Sequence, residues 1–152
     1  MEISYRILGT SPTEEWLELL NSSLVRKHLI QHPQFTVETL GDWLDSKATE
    51  DQRPGCRLRE ISCSGQLAGW CGIQFESGAF EAVLVLSPAY WGRGREVVSE
   101  IRKWANEMGH NQLLAHFPHS RPQAKALTRL FGQPVGVSNI KEHVFVTYRI
   151  KI

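Results

Sequence analysis

The sequence predicts a mixed α/β (α+β) domain with a mostly antiparallel sheet flanked by helices, and three observations carry that prediction. Strand-like runs between residues 57 and 86 are separated by the short turns Ser64-Gly65 and Ser77-Gly78, and turns this short join antiparallel neighbours. A helix-like stretch, residues 94–108, stands between the last of these runs and the next strand. A helical crossover of that kind makes the strands on either side of it parallel. The N-terminal third carries apolar residues at helical spacing and packs helices onto the sheet.

The elements follow in order. Ile3-Ser4-Tyr5-Arg6-Ile7-Leu8 alternates as a half-buried strand does. Ser11-Pro12-Thr13-Glu14 has the pattern of a capping box, with Ser11 as cap and Pro12 in the first helical position. Trp16, Leu17, Leu19 and Leu20 give that helix its apolar face. Leu24 to Ile30 is a second short helical stretch, ended by His32-Pro33. A third helix starts at Thr36, with Phe35 and Leu40 as a hydrophobic staple and Val37, Leu40, Trp43 and Leu44 on one face. Residues 46–55 are polar and contain Pro54-Gly55, which predicts a loop. Three strands follow at Arg57–Ser62, Leu67–Phe75 and Phe80–Leu86. In the helix at 94–108, Val97, Val98, Ile101, Trp104, Ala105 and Met108 form the buried stripe, and Gly109 suits its exit. Gln112 to Phe117 is the next strand, parallel to the one before the helix. Ser120-Arg121-Pro122-Gln123 is a capping box for a helix through Phe131. Val135-Gly136-Val137 is a short strand and His143 to Ile150 the last.

Composition excludes several classes. A length of 152 residues predicts a single domain, spanning residues 1–152, with a sizeable core. Lys plus Arg is 17 and Asp plus Glu 16, a net charge of +1 that gives no electrostatic case for wrapping nucleic acid or coating a membrane. No apolar run approaches the ~20 residues that cross a bilayer. No signal peptide is visible after Met1-Glu2-Ile3-Ser4, so a cytoplasmic location is expected. Cys56, Cys63 and Cys71 fit no zinc spacing; reduced structural thiols and no metal are expected.

The segment Val83-Leu84-Val85-Leu86-Ser87-Pro88-Ala89-Tyr90-Trp91-Gly92-Arg93-Gly94-Arg95-Glu96-Val97-Val98 carries chemistry. It runs from strand through a Pro-containing turn and a glycine pair into a helix. Glycines let backbone N–H groups approach an anion, and the helix start adds unsatisfied N–H groups and a positive dipole end. Together they form a phosphate site. There is no Gly-Lys-Ser/Thr and no G-x-G-x-x-G, so the common nucleotide loops do not fit.

That segment resembles the acyl-coenzyme A loop of the GNAT superfamily of N-acetyltransferases, Gln/Arg-x-x-Gly-x-Gly/Ala after a Pro-x-Tyr turn. Pro88-Ala89-Tyr90 matches the turn, Gly92 and Gly94 the glycine pair, and Val97, Val98 and Ile101 the apolar helix start. Ala124-x-x-Leu127 and Gly132 resemble a second conserved region, and the order of elements follows the family. The chain departs at Trp91, where Gln or Arg is usual, and at Glu96, where a small residue is usual. It also departs at Arg121, at Gln133 and at Thr128, which replaces a tyrosine that protonates the leaving thiolate. Glu96 must point aside, its charge offset by Arg93 or Arg95.

The resemblance implies that acetyl-CoA, as acyl donor, lies where two parallel strands splay apart, here Phe80–Leu86 and Gln112–Phe117. Backbone groups at Leu84, Val85 and Leu86 would hold the pantetheine arm. Those at Trp91, Gly92, Arg93, Gly94, Arg95, Glu96 and Val97 would surround the pyrophosphate. A primary amine would attack the thioester directly. Glu81, a carboxylate within an otherwise apolar strand, is the first candidate base, since burial would raise its pKa toward the working range; Glu76 is the second. His119 and Tyr148 are candidate acids, with His116 and Ser120 as substitutes. The acceptor, a small molecule or a protein N-terminus, would meet His28, His32, Phe35 and Trp43. Arg26-Lys27-His28 could attract an acidic one. Monomer and homodimer both fit. Two alternatives stay open: a silent GNAT-fold protein that binds acyl-CoA or a macromolecular partner, and a nucleic-acid module using Arg93, Arg95, Arg102 and Lys103 with Trp91.

Overall fold

The computed structural model describes residues 2–28, 33–118, 124–140 and 143–152. In chain order the elements are β1 (Ile3–Arg6), α1 (Thr13–Asn21), α2 (Ser23–His28), α3 (Val37–Asp51), β2 (Arg57–Cys63), β3 (Gln66–Glu76) and β4 (Ala79–Leu86). A 3-10 turn, Pro88–Arg93, leads into α4 (Gly94–Glu107), β5 (Gln112–Pro118), α5 (Ala124–Phe131), β6 (Gly136–Ile140) and β7 (His143–Lys151). Among the described residues the strands form one sheet in the order β1-β2-β3-β4-β5-β7-β6. β4 and β5 pair parallel, and the other neighbours pair antiparallel. The mixed, mostly antiparallel sheet expected from the sequence is the sheet observed.

Local chemistry sets the hairpins. Ser64 and Gly65 have φ of 53° and 80°, and Ser77 and Gly78 have 51° and 82°. Two successive residues of positive φ make a turn whose twist matches that of the flanking strands. Gly72 answers a different demand: a Cβ there would lie 1.9 Å from the Arg57 carbonyl oxygen, so β2 and β3 approach closely only over a glycine.

The sheet buries both faces. On one, Val97, Ile101 and Trp104 of α4 pack with Ile61, Cys71, Ile73, Leu113 and Ile150. On the other, Trp16 and Leu20 of α1, Val25 of α2 and Leu40 of α3 pack with Leu58, Trp70 and Val85. Alternation along the strands divides their side chains between the α4 face and the α3 face, with one break at the bulge opposite Ile61 and Ser62, where Ala68 and Trp70 fall on opposite faces.

Three expectations are corrected. Ser11 does not cap α1: the cap is Pro12, with no side-chain hydrogen bond. The Ser11 hydroxyl instead donates to the buried carboxylate of Glu60, which also accepts from the Ser11 amide, and a tertiary charge outcompetes the local cap. Residues 46–51 are not loop but the last turns of α3. They dock on the sheet through polar groups, which apolar periodicity does not register. Phe75 N donates to Glu50 Oε1 at 2.8 Å, and Leu58 N to Asp51 Oδ1 at 2.8 Å. Val37, placed on the buried face, is 67% exposed at the first helical position. The Thr36 cap holds, reinforced by Thr39, and Phe35 and Leu40 join the same apolar cluster. The Ser120–Gln123 capping box lies outside the described residues.

Candidate active site

The parallel pair is where the sheet opens. β4 and β5 register at Glu81 and Leu114 alone, and no further pairs continue along the two strands. Beyond that point both expose an edge. Residues 81–85 of β4 and 115–117 of β5 all line one cleft. Consecutive strand residues point to opposite faces, so a cleft touching all of them passes between the strands. Its volume is about 860 Å³, within the ~300–1,000 Å³ usual for small-molecule sites.

One end of the cleft lies on the α4 face, at the glycine pair. Gly94 has φ −60° and ψ −36°, an ordinary helical conformation that any residue adopts. At Gly92 a Cβ would meet nothing within 4 Å, and at Gly94 only Leu84 Cδ2 at 3.7 Å. Backbone strain and packing do not require glycine at either position; the missing side chains leave room on the cleft wall. The start of α4 has no side-chain cap, and Gly94, Arg95 and Val98 of its first turns line the cleft, where the positive end of the helix dipole favours an anion. Arg95 and Arg102 line the same end. Glu96 turns away: its carboxylate is held by Arg93, with Arg93 Nε donating to Oε1 at 2.9 Å and Arg93 Nη2 to Oε2 at 3.1 Å. That bond stabilises the charged guanidinium and pushes the Arg93 pKa up. Trp91 folds back, its indole N–H donating to the Leu86 carbonyl at 2.8 Å.

The other end lies on the α3 face and is polar. Gln74 of β3 stands opposite Glu81 of β4 in register. Gln74 Nε2 donates to Glu81 Oε1 at 2.7 Å. The second Glu81 oxygen is 3.3 Å from His116 Nε2, and His116 Nδ1 is 2.8 Å from Thr147 Oγ1. On the far side, Lys47 Nζ donates to Gln74 Oε1 at 2.8 Å. The row Lys47–Gln74–Glu81–His116–Thr147 thus crosses the sheet where β4 and β5 part. Trp43 and Trp70 place their rings 5.7 and 5.1 Å from Lys47 Nζ. Burial pulls the Lys47 pKa down, against the upward pull of Glu76, Glu50 and Glu81.

The acetyltransferase (GNAT) family model matches residues 14–133. The chain belongs to the GNAT acetyltransferase family. Solved acetyltransferase structures share the fold at low identity. The acetyltransferase from Agrobacterium tumefaciens superposes with a TM-score of 0.76 at 18% identity, covering 99% of this chain and 91% of that one. The acetyl transferase from Salmonella typhimurium that modifies the N-terminal serine of ribosomal protein L7/L12 gives 0.73 at 16%, covering 99% and 94%. The microcin C7 self-immunity acetyltransferase MccE, in complex with acetyl-CoA and AMP, gives 0.76 at 12%, covering 99% and 93%. No curated protein sequence matches the chain significantly.

Within this GNAT fold the residues named from sequence separate into groups. Glu81 is on the cleft wall, as are Leu84, Val85, Trp91, Gly92, Gly94 and Arg95. Leu86 and Val97 are buried in the core beside it. Phe35 and Trp43 line the cleft as well, and Glu76 stands at the exposed end of β3. Tyr148 is 3% exposed on the α4 face, its ring 5.8 Å from Phe117 and 5.9 Å from Phe131, behind the two rings that line the cleft. His119, Ser120 and His32, and the side chain of His28, lie outside the described residues. Lys47, Gln74 and Thr147 were not singled out by sequence. Their one signal is polarity within or beside apolar strands, and Lys47 fell in the stretch read as loop. Among the described residues, no helix is long and apolar enough to cross a membrane.

Proposed function

We propose that the protein transfers an acetyl group from acetyl-CoA to a primary amine, with Glu81 as the base that takes the amine proton. The observation that carries this reading is the cleft through the sheet, with a glycine-lined, cationic end on one face and a carboxylate on the other. The residues fit the donor. The open Cβ positions at Gly92 and Gly94 leave space for a pyrophosphate against the start of α4, and Arg95 and Arg102 supply charge. The edge of β4 beyond Glu81 offers its backbone groups to a pantetheine arm. Bound acetyl-CoA supplies an activated thioester, which the acceptor amine attacks directly.

The chain's own residues set the rest. Gln74 and His116 hold one oxygen each of the Glu81 carboxylate and fix its orientation at the strand gap. Thr147 in turn fixes the His116 ring. Cys56, Cys63 and Cys71 are absent from the cleft wall, which supports direct transfer over a thioester on the enzyme. The 3-10 turn closed by Trp91, and the Arg93–Glu96 pair, keep the loop clear of a carboxylate that would repel phosphate.

Thermal unfolding with acetyl-CoA and desulfo-CoA tests the reading. A ligand at 100 times its Kd adds about 2.7 kcal/mol, which for a chain of this length raises Tm by roughly 5–10 °C. The rise is expected with both ligands. It is expected to vanish in Gly94→Glu, whose carboxylate enters the anion cradle. No rise at millimolar ligand would overturn the donor assignment and favour a GNAT fold serving a macromolecular partner.

A further inference from the structure

We propose that Lys47 binds a carboxylate of the acceptor, so that the acceptor is an amino acid: an amine with a carboxylate a short distance away and an apolar side chain. The inference rests on the acetyl-transfer reading and gives that site its substrate class.

Lys47 lies on the cleft wall, half-buried, at the end occupied by Glu81. Its ammonium has three N–H donors. One goes to the neutral amide oxygen of Gln74. Among the described residues its Nζ also faces the rings of Trp43 and Trp70. Among the described residues it forms no ion pair within 4.0 Å. A cation drawn out of water is stable when a charge answers it; Glu76, Glu50 and Glu81 act on Lys47 from beyond 4.0 Å, and its direct partner is the neutral Gln74 amide. An anion entering the cleft meets two unspent donors.

Gln74 also sets the spacing. Both ends of its amide are committed, the oxygen to Lys47 and the nitrogen to Glu81. One amide group therefore spans the distance from the cation to the proposed base. Lys47 and Glu81 stand within reach of one small ligand that carries both an amine and a carboxylate. A diamine would set its second ammonium against Lys47. Phe35, Trp43 and Trp70 present rings to whatever the amine and carboxylate leave over.

The experiment compares acetyl transfer to amino acids and to their decarboxylated counterparts. The pairs are L-phenylalanine with phenethylamine, L-tryptophan with tryptamine, L-leucine with isoamylamine, and L-methionine with 3-(methylthio)propylamine. Donor binding is followed in parallel by the desulfo-CoA thermal shift. A charge-assisted bond predicts that at least one amino acid exceeds its partner by about 10- to 100-fold in kcat/KM. Lys47→Met should erase that ratio, and Lys47→Arg should keep much of it. A purely structural Lys47 would lower both members of a pair equally, which overturns the proposal. So does a wild-type preference for the decarboxylated amines, or rejection of every amino acid by a protein that desulfo-CoA stabilises. Absence of the desulfo-CoA shift identifies a different failure, that of the donor site, and removes the inference with it.

Discussion

Replacing Glu81 by Gln is expected to lower kcat/KM for acetyl transfer by about 10²- to 10⁴-fold, the usual contribution of a positioned base, or roughly 3–5 kcal/mol of barrier. The substitution changes little else. A glutamine oxygen can still accept from Gln74 Nε2, and the amide nitrogen faces His116 Nε2, so the row across the sheet keeps its contacts. The donor end is built from the start of α4 on the opposite face. The desulfo-CoA shift should therefore match wild type while turnover falls. A fall in both would mean that the side chain supports the cleft rather than the chemistry. An unchanged rate at saturating donor would place the base elsewhere.

Much of the fold is legible in the sequence because its signals are local. The two Ser-Gly turns fix the β2–β3–β4 meander, and the apolar stripe of α4 fixes the crossover that makes β4 and β5 parallel. The glycine loop is legible for the same reason, since strand, turn, glycine pair and helix are contiguous. What fails is whatever depends on distant partners. Ser11 has every local mark of a cap, yet a carboxylate 49 residues away takes its hydroxyl. The end of α3 has no apolar spacing, because Glu50 and Asp51 dock it through backbone amides of β3 and β2. The polar row of the candidate site is of this second kind. Gln74 meets Glu81 through hairpin register, and His116 meets it through the one point where β4 and β5 pair. Glu81 stood out as a charge in an apolar strand, but the same mark belongs to Glu60 in β2, and sequence does not distinguish them.

The structure does, and Glu60→Ala shows how. Glu60 is fully buried, and its oxygens are saturated from within the protein. It accepts from the Gly9 amide at 3.0 Å, the Ser11 amide at 3.1 Å, the Ser11 hydroxyl and Arg6 Nη2 at 3.1 Å. Those donors fasten the edge strand β1 and the turn into α1, so this carboxylate holds structure and has no lone pair to offer a substrate. Its removal leaves the buried Ser11 amide and hydroxyl and the exposed Gly9 amide without their acceptor, and a guanidinium without its counter-charge. The Arg6 side chain is 32% exposed, so the cost is mainly that of the lost buried hydrogen bonds, about 2–4 kcal/mol, a loss of roughly 5–15 °C in Tm for a chain of this length. Glu60→Gln retains one acceptor oxygen and should lose less. Below the lowered Tm, both variants should transfer acetyl groups near the wild-type rate, because β1 and β2 are separated from the open strand pair by β3. The two strand glutamates then give opposite signatures: Glu60→Ala moves Tm and spares turnover, and Glu81→Gln spares Tm and removes turnover. If Glu60→Ala unfolded no more readily than wild type, the anchoring of β1 would have to come from its backbone pairing with β2 alone. If it abolished transfer in the folded protein, the α3 face would be coupled to the cleft more tightly than the separation of these strands allows.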